Sequence, residues 1–145
     1  MRTYARHASA RWLGTRQRGK GAINSPSAAL KMALHAGDRD GKRCGTNPAE
    51  LIAAAIAGSF SLTLADELGQ AGYKPREIDT MATVTLEHLA AGWTLTQILL
   101  GVTARVPRVA ECDFVDAALR AKANCPIARS LSANTIMNAK LTRNE

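Results

Sequence analysis

The chain has 145 residues, of which 46% are hydrophobic, 4% are aromatic and 21% are charged. This length fits a single domain over residues 1 to 145, with a core built from Ala, Leu, Ile and Val rather than from aromatic rings. No unbroken apolar run approaches the roughly 18 residues of a membrane span, so we expect no membrane partner. Arg2, Arg6 and Arg11 interrupt any signal-peptide core, which indicates a cytoplasmic protein.

The positive charge is concentrated at the N-terminus. The formal net charge of +7 equals the number of basic residues that precede the first acidic residue, Asp38: Arg2, Arg6, Arg11, Arg16, Arg18, Lys20 and Lys31. Such a basic segment can attract nucleic acid. However, few aromatic residues are interleaved with these charges and no recognised nucleic-acid motif follows. We therefore predict a solvated strand face and no nucleic-acid partner.

The cysteines do not form a metal or disulfide pattern. The chain contains Cys44, Cys112 and Cys125, without a CxxC pair and without a histidine at metal-ligand spacing. An odd number of cysteines in a cytoplasmic chain argues against a disulfide framework and against zinc. We predict no metal and no cofactor, while a single reactive thiol stays open.

The N-terminal third of the chain predicts strands. Alternating residues favour two strands joined at Gly14 and a short third strand, followed by a polar, Gly-rich loop: 3 to 13, 17 to 25, 28 to 34 and 35 to 45.

The segment TNPAEL predicts the start of a helix. Asn47 is a good N-cap residue, Pro48 suits the first helical position, and Glu50 follows the cap by three residues. The helix should run from Pro48 to Gly69. Its apolar residues are so dense that we expect most of its circumference to be buried, as in a central helix.

The remaining chain mixes strands and helices. Two strands with period-two alternation, an amphipathic helix, a short helix from Pro126 and a last strand are predicted over 78 to 89, 93 to 106, 111 to 123, 126 onward and 135 to 142. The amphipathic helix should turn four residues toward the core: Phe114, Ala117, Ala118 and Ala121. The order β-β-(β)-α-β-β-α-α-β predicts an α+β fold.

Few side chains carry a pattern typical of chemistry. Cys125 precedes Pro126, so its sulfur would lie at a helix N-terminus that favours a thiolate, although a buried, inert thiol is equally consistent. By itself, Glu50 is better explained as a helix-capping carboxylate than as a functional group. Arg39 lies between Asp38 and Asp40, which is typical of a solvated charge cluster.

Three motifs together resemble the OsmC/Ohr family of organic hydroperoxide reductases, most closely its OsmC branch. They are TNPAEL, AGSFSLTL and AKANCPIARSL, in this order and with these separations. The resemblance implies antiparallel strands around a long central helix and an intertwined homodimer. It also implies an apolar pocket at the subunit interface for a small hydroperoxide, a thiol reductant as partner and a role in oxidative stress defence.

The resemblance also implies roles for individual residues. Ser59 stands at the position of the peroxidatic cysteine, whose thiolate attacks the hydroperoxide, and Cys125 matches the resolving cysteine. Arg39, with Arg43 as a rival, matches the arginine that stabilises the thiolate. Glu50 matches the glutamate that holds this arginine.

Ser59 is a departure from the family pattern, which reads AGCFS or AACFS where this chain reads AGSFS. A serine hydroxyl is a weak nucleophile and forms neither a sulfenic acid nor a disulfide, so normal two-cysteine turnover is not expected. Three explanations are open. Ser59 is an engineered replacement of cysteine; or the chain is a naturally diverged, non-peroxidatic homologue that binds an apolar ligand or has a structural role; or Cys125 acts alone, recycled by an external thiol.

Overall fold

The computed structural model describes residues 1 to 36 and 45 to 142. Its elements, in chain order, are β1 (Ser9–Leu13), β2 (Lys20–Asn24), β3 (Lys31–Leu34), α1 (Pro48–Gln70), β4 (Glu77–Leu89), β5 (Gly92–Arg105), α2 (Glu111–Asn124), α3 (Pro126–Ser130) and β6 (Asn134–Leu141). The chain divides into two compact units, Met1–Leu51 and Ile52–Glu145. That residues 1 to 145 form a single domain stays a prediction.

The first unit contains the antiparallel sheet β1-β2-β3. Trp12 of β1 lies opposite Gly21 of β2, and a Cβ atom on Gly21 would lie only 2.6 Å from the indole ring. Gly14 begins the connecting turn with a φ of +102°, a conformation that glycine adopts at little cost. The predicted hairpin is therefore confirmed, with strands shorter than expected because only the residues that pair across it count as strand.

Helix α1 begins and ends where its sequence predicts. The Asn47 side-chain oxygen accepts the Glu50 N–H at 2.9 Å, as an N-cap does. At the other end, Gly72 has a φ of +91°, and the Tyr73 N–H donates to the Leu68 carbonyl at 2.9 Å. The left-handed Gly72 and the bond between residues five positions apart are the features of a Schellman motif. The helix therefore ends one residue beyond the predicted Gly69.

The second unit contains the sheet β4-β5-β6. Strands β4 and β5 pair antiparallel, with an irregularity between Thr85 and Leu86, whereas β5 and β6 pair parallel. The expectation of antiparallel strands is wrong for this last pair. The pairing is parallel because α2 and α3 return the chain toward the end of the sheet at which β5 begins. Strand β6 therefore runs in the same direction as β5.

The core of the second unit lies between the sheet and the helices. Its largest contributions come from alternate residues of β5 and from one face of each long helix: Ile98, Leu100, Val102, Ala104, Ile56, Phe60, Leu64, Leu68, Phe114, Ala117, Ala118 and Ala121. The predicted buried face of α2 is confirmed. Because β5 buries every second residue and pairs on both edges, it is the central element of this unit.

Helix α1 buries much less of its surface than its composition predicts. Its fully buried residues form a single stripe, Ile56, Phe60, Leu64 and Leu68, whereas Leu62 is 75% exposed and Ala54, Ala55 and Gly58 are also exposed. The expectation of burial over most of the circumference is therefore wrong for this chain by itself. Ala, Leu and Ile occur all around the helix, so its composition does not reveal that only every fourth residue is fully buried.

Helix α1 is also long and apolar enough, by length and composition alone, to cross a membrane. Its most apolar 18-residue window has a mean hydropathy of 1.5, and 22% of that window is buried within the protein. The averaged window tolerates the serines and threonines that break the apolar run, so the absence of a membrane partner stays a prediction. Core helices of soluble proteins pass the same test.

Candidate functional site

Ser59 and Cys125 are brought together from distant parts of the chain. Ser59 lies in the middle of α1, and Cys125 lies between α2 and α3. The Cys125 thiol donates a hydrogen bond to Ser59 Oγ, with 3.4 Å between the two atoms. The two positions that the family motifs single out, 66 residues apart in sequence, are thus direct neighbours in the fold.

The backbone around Cys125 is held by both flanking helices. Its N–H donates to the Ala121 carbonyl at the end of α2, and its carbonyl accepts the Arg129 N–H of α3, each at 2.9 Å. Pro126 occupies the first turn of α3, where its missing N–H costs nothing. The thiol is completely buried. This corner therefore fixes the sulfur against α1 instead of presenting it to solvent.

The thiol does not use the helix N-terminus in the way that the sequence suggested. Helix α3 has only five residues, and Cys125 makes no side-chain capping bond to it. Of the two interpretations that the sequence left open, the buried thiol describes this geometry. Its hydrogen-bond partner is the Ser59 hydroxyl rather than a backbone N–H.

The end of α2 that carries Cys125 is tied to α1 by a carboxylate. Glu67 accepts from Arg120 Nε at 2.9 Å and from Asn124 Nδ2 at 3.2 Å. Both donors hold the pKa of Glu67 below its ordinary value, with the bond from Arg120 as the larger cause. Sequence reasoning missed this trio. Its signal was the spacing of Arg120 and Asn124, which places two donors on one face of α2.

Ser61 has a structural role. Its Oγ lies 2.8 Å from the Ala57 carbonyl and 2.8 Å from Thr80 Oγ1, so it can donate to the former and accept from the latter. This arrangement satisfies a half-buried hydroxyl and joins α1 to β4. Ser61 therefore differs from Ser59, whose Oγ faces the thiol.

Glu50 lies in the first unit, in the first turn of α1. Its side chain is exposed, and its Oε1 accepts a hydrogen bond from the buried Thr46 hydroxyl at 3.1 Å. Arg39, its rival Arg43, and Cys44 fall outside the described residues. The predicted contact between an arginine and Glu50 therefore stays a prediction.

The Ser59–Cys125 pair has limited chemistry as it stands. A hydroxyl and a thiol at this distance can share a proton, but they cannot form a disulfide. Within residues 1 to 36 and 45 to 142, no three His, Cys, Asp or Glu side chains are grouped so that they could hold a metal ion.

The chain matches known proteins in sequence. The family profile described as OsmC-like protein matches residues 38 to 140. The chain is 36% identical to the peroxiredoxin OsmC of Escherichia coli over 141 residues, which cover 96% of this chain and 98% of that protein.

Solved structures share the fold. An OsmC-like protein of unknown function from Vibrio cholerae matches with a TM-score of 0.79 at 14% identity, covering 94% of this chain and 99% of the other. The organic hydroperoxide resistance protein OhrB of Bacillus subtilis matches with a TM-score of 0.67 at 18% identity, covering 94% and 98%. At these identities the two structures speak for the fold alone. Together with the sequence matches, they show that the chain belongs to the OsmC-like family and is a homologue of its hydroperoxide-reducing peroxiredoxins.

Proposed function

We propose that the protein has the scaffold of an OsmC-type hydroperoxide reductase of oxidative stress defence. Ser59 occupies the position of the peroxidatic cysteine and prevents normal two-cysteine turnover. The observation that carries this proposal is the 3.4 Å between Ser59 Oγ and Cys125 Sγ. A pair of thiols in these two places would need only a small approach to reach the sulfur–sulfur distance of about 2.05 Å in a disulfide. This distance supports a scaffold suited to two-thiol chemistry that lacks the first thiol.

The missing step is specific. A thiolate at position 59 would attack the terminal oxygen of a hydroperoxide, break the O–O bond and become a sulfenic acid, while the departing alkoxide takes up a proton to leave as an alcohol. The Cys125 thiolate would then attack that sulfur and release water, giving a disulfide that two external thiols reduce. The Ser59 hydroxyl performs neither step, because its pKa is too high for useful ionisation and its oxygen forms no disulfide.

Restoring the thiol tests the proposal. We expect Ser59→Cys to consume cumene hydroperoxide with a dithiol reductant, and to lose two mass units when oxidised by one equivalent of peroxide without reductant. Ser61→Cys is the matched control, because position 61 faces Thr80 rather than Cys125. It should give neither signal. A folded Ser59→Cys variant that neither consumes peroxide nor loses two mass units would overturn the proposal.

The native chain should show little peroxide turnover. Cys125 is the remaining thiol of the pair and is completely buried, so neither a hydroperoxide nor an external thiol reaches it without local opening. Robust native turnover that disappears in Cys125→Ser would instead establish a peroxidase that works with one cysteine.

Arg39 and Glu50 are proposed to support the thiol at position 59, by analogy with the family motif. In the Ser59→Cys background, Arg39→Gln should raise the pKa of the new thiol, measured by the pH dependence of its alkylation. Arg43→Gln is the matched control for charge and loop position. A larger effect of Arg43→Gln would assign the role to the rival arginine.

A second candidate is a homologue that binds an apolar ligand without catalysis. The exposed face of α1 favours it, because Leu62 is 75% exposed and the space next to Gly58 is empty. We propose that a second copy covers this face in a homodimer, leaving an apolar pocket beside it. Ligand affinity that is unchanged in Ser59→Cys and Cys125→Ser, with peroxide activity absent in both, would favour this candidate.

The cellular setting follows the family. We propose a cytoplasmic enzyme scaffold that meets small apolar hydroperoxides and a thiol reductant, with no membrane, nucleic acid, metal or cofactor involved. An apolar hydroperoxide suits the pocket because the nearby surface of α1 is built mostly from Ala, Gly and Leu. Comparing cumene hydroperoxide with hydrogen peroxide on Ser59→Cys tests this preference, and equal rates would argue against an apolar pocket.

A further inference from the structure

A basic cleft lies in the second unit, away from Ser59 and Cys125. Two adjoining cavities of about 720 and 300 Å³ share Arg76, Pro107 and Arg108 in their walls. Four segments build these walls: the turn that follows α1, the end of β5, the loop between β5 and α2, and the end of β6. The turn that follows α1 is joined to the end of β5, because the Arg76 N–H donates to the Arg105 carbonyl at 2.8 Å.

The side chains around this basic cleft are strongly cationic. Lys74, Arg76, Arg105 and Arg108 line the two cavities. Glu77 neutralises only Arg105, through a contact of 3.3 Å. Among the described residues, the other three cations form no ion pair. The Arg105 side chain is 37% exposed, so part of its guanidinium is open to the smaller cavity, although its Nε is shielded from solvent.

The position of Arg108 adds to this argument. It follows Pro107 in a turn and has a φ of +63°. Proline followed by a residue with positive φ is typical of a type II turn, where glycine is the favoured second residue. An arginine is strained there, and strained residues cluster at functional sites such as ligand clamps. The turn holds this guanidinium at the shared wall of the two cavities.

We propose that the basic cleft binds a small organic phosphate. A tetrahedral anion with several acceptor oxygens suits guanidinium and ammonium donors that come from different segments. The larger cavity exceeds the size of inorganic phosphate, and its walls include Tyr73, Pro75 and Pro107, which offer apolar surface to an organic group.

Calorimetric titration with phenyl phosphate at pH 8 and 0.1 M NaCl tests the proposal. We expect saturable one-to-one binding, weaker binding of inorganic phosphate, and weaker binding of benzoate, which has a similar ring but a single planar charge. Arg76→Gln/Arg108→Gln should weaken phenyl phosphate binding at least about tenfold, equivalent to about 1.4 kcal/mol. Equal affinity for benzoate would overturn the assignment to phosphate.

Two further variants make the test decisive. Arg11→Gln/Arg18→Gln removes the same charge from two exposed residues of the first unit and should change the affinity less than about twofold; an equal loss would mean non-specific attraction by net charge. Arg108→Gly relieves the strained backbone while it removes the guanidinium. It should therefore fold at least as stably as the native chain and still bind about tenfold more weakly. Native affinity in Arg108→Gly would overturn the proposal.

Discussion

At the scale of single residues, two serines that lie two positions apart on α1 face different surroundings. Ser59 Oγ accepts from the Cys125 thiol at 3.4 Å, whereas Ser61 Oγ lies 2.8 Å from both the Ala57 carbonyl and Thr80 Oγ1. A thiol is a weak donor, so little stability depends on the first contact. The second contact joins two good hydrogen-bonding groups in a half-buried position.

This difference predicts the effect of alanine substitutions on stability. Ser61→Ala should lower the free energy of unfolding by about 0.5–1.5 kcal/mol, because Thr80 loses its partner. Ser59→Ala should have a smaller effect. Urea denaturation of the two variants, matched in residue type and helix, compares them directly. A larger loss for Ser59→Ala would show that the thiol contact is a stronger bond than its chemistry suggests.

Sequence reasoning succeeded with residues whose meaning is local. Asn47 caps α1 and Pro48 begins it, because capping depends only on neighbours along the chain. The closeness of Ser59 and Cys125 followed from the family resemblance and not from periodicity. Neither local patterns nor the resemblance identified Glu67, because its partners Arg120 and Asn124 reach it only after α2 packs on α1.

At the scale of elements, Glu67 joins α1 to the end of α2 that carries Cys125. Its pKa is lowered by the bonds from Arg120 and Asn124, so the folded protein binds a proton there less readily than the unfolded chain does. The resulting stabilisation is fully present above the ordinary pKa of 4.5 and is lost as the pH falls through the lower, folded value.

This linkage predicts a specific pH dependence. The melting temperature of the native chain should fall between pH 5 and pH 3, and part of that fall should be absent in Glu67→Gln, which titrates no longer. Glu87→Gln, which removes an exposed carboxylate of β4, is the control and should keep the native profile. Identical profiles for Glu67→Gln and the native chain would contradict the role of this carboxylate.

The sequence predicted most elements but not all of their partners. Period-two alternation located β4 and β5, and the amphipathic pattern of α2 located its buried face. The parallel pairing of β5 with β6 was missed because strand direction depends on how the intervening helices return the chain. The single buried stripe of α1 was missed since its buried and exposed positions carry the same kinds of residue.

At the scale of the whole molecule, the exposed apolar face of α1 predicts contact with a second protein chain. Leu62 exposes 75% of its surface, while Leu64 on the same helix is completely buried. A soluble protein seldom leaves a long apolar helix face in water, so we expect a homodimer that covers it. The two leucines then report on different events, association and folding.

Substitution of each leucine separates these events. Leu62→Glu should convert the dimer into a folded monomer, seen by light scattering after size-exclusion chromatography. Leu64→Ala should keep the dimer and lower the free energy of unfolding by about 2–5 kcal/mol, because it leaves a cavity in the core. A native chain that is monomeric at high concentration would contradict the expected homodimer.

The parallel pairing of β5 and β6 also constrains the order of folding. Strand β5 ends at Arg105 and β6 begins at Asn134, so α2 and α3 are synthesised before one edge of β5 can be paired. Until β6 arrives, that edge presents unpaired N–H and C=O groups next to Ile98, Leu100 and Val102, an aggregation-prone pattern. Closing this contact over a long loop is slow compared with forming the β4–β5 hairpin. The nascent chain is therefore most prone to aggregation while β6 is still inside the ribosome.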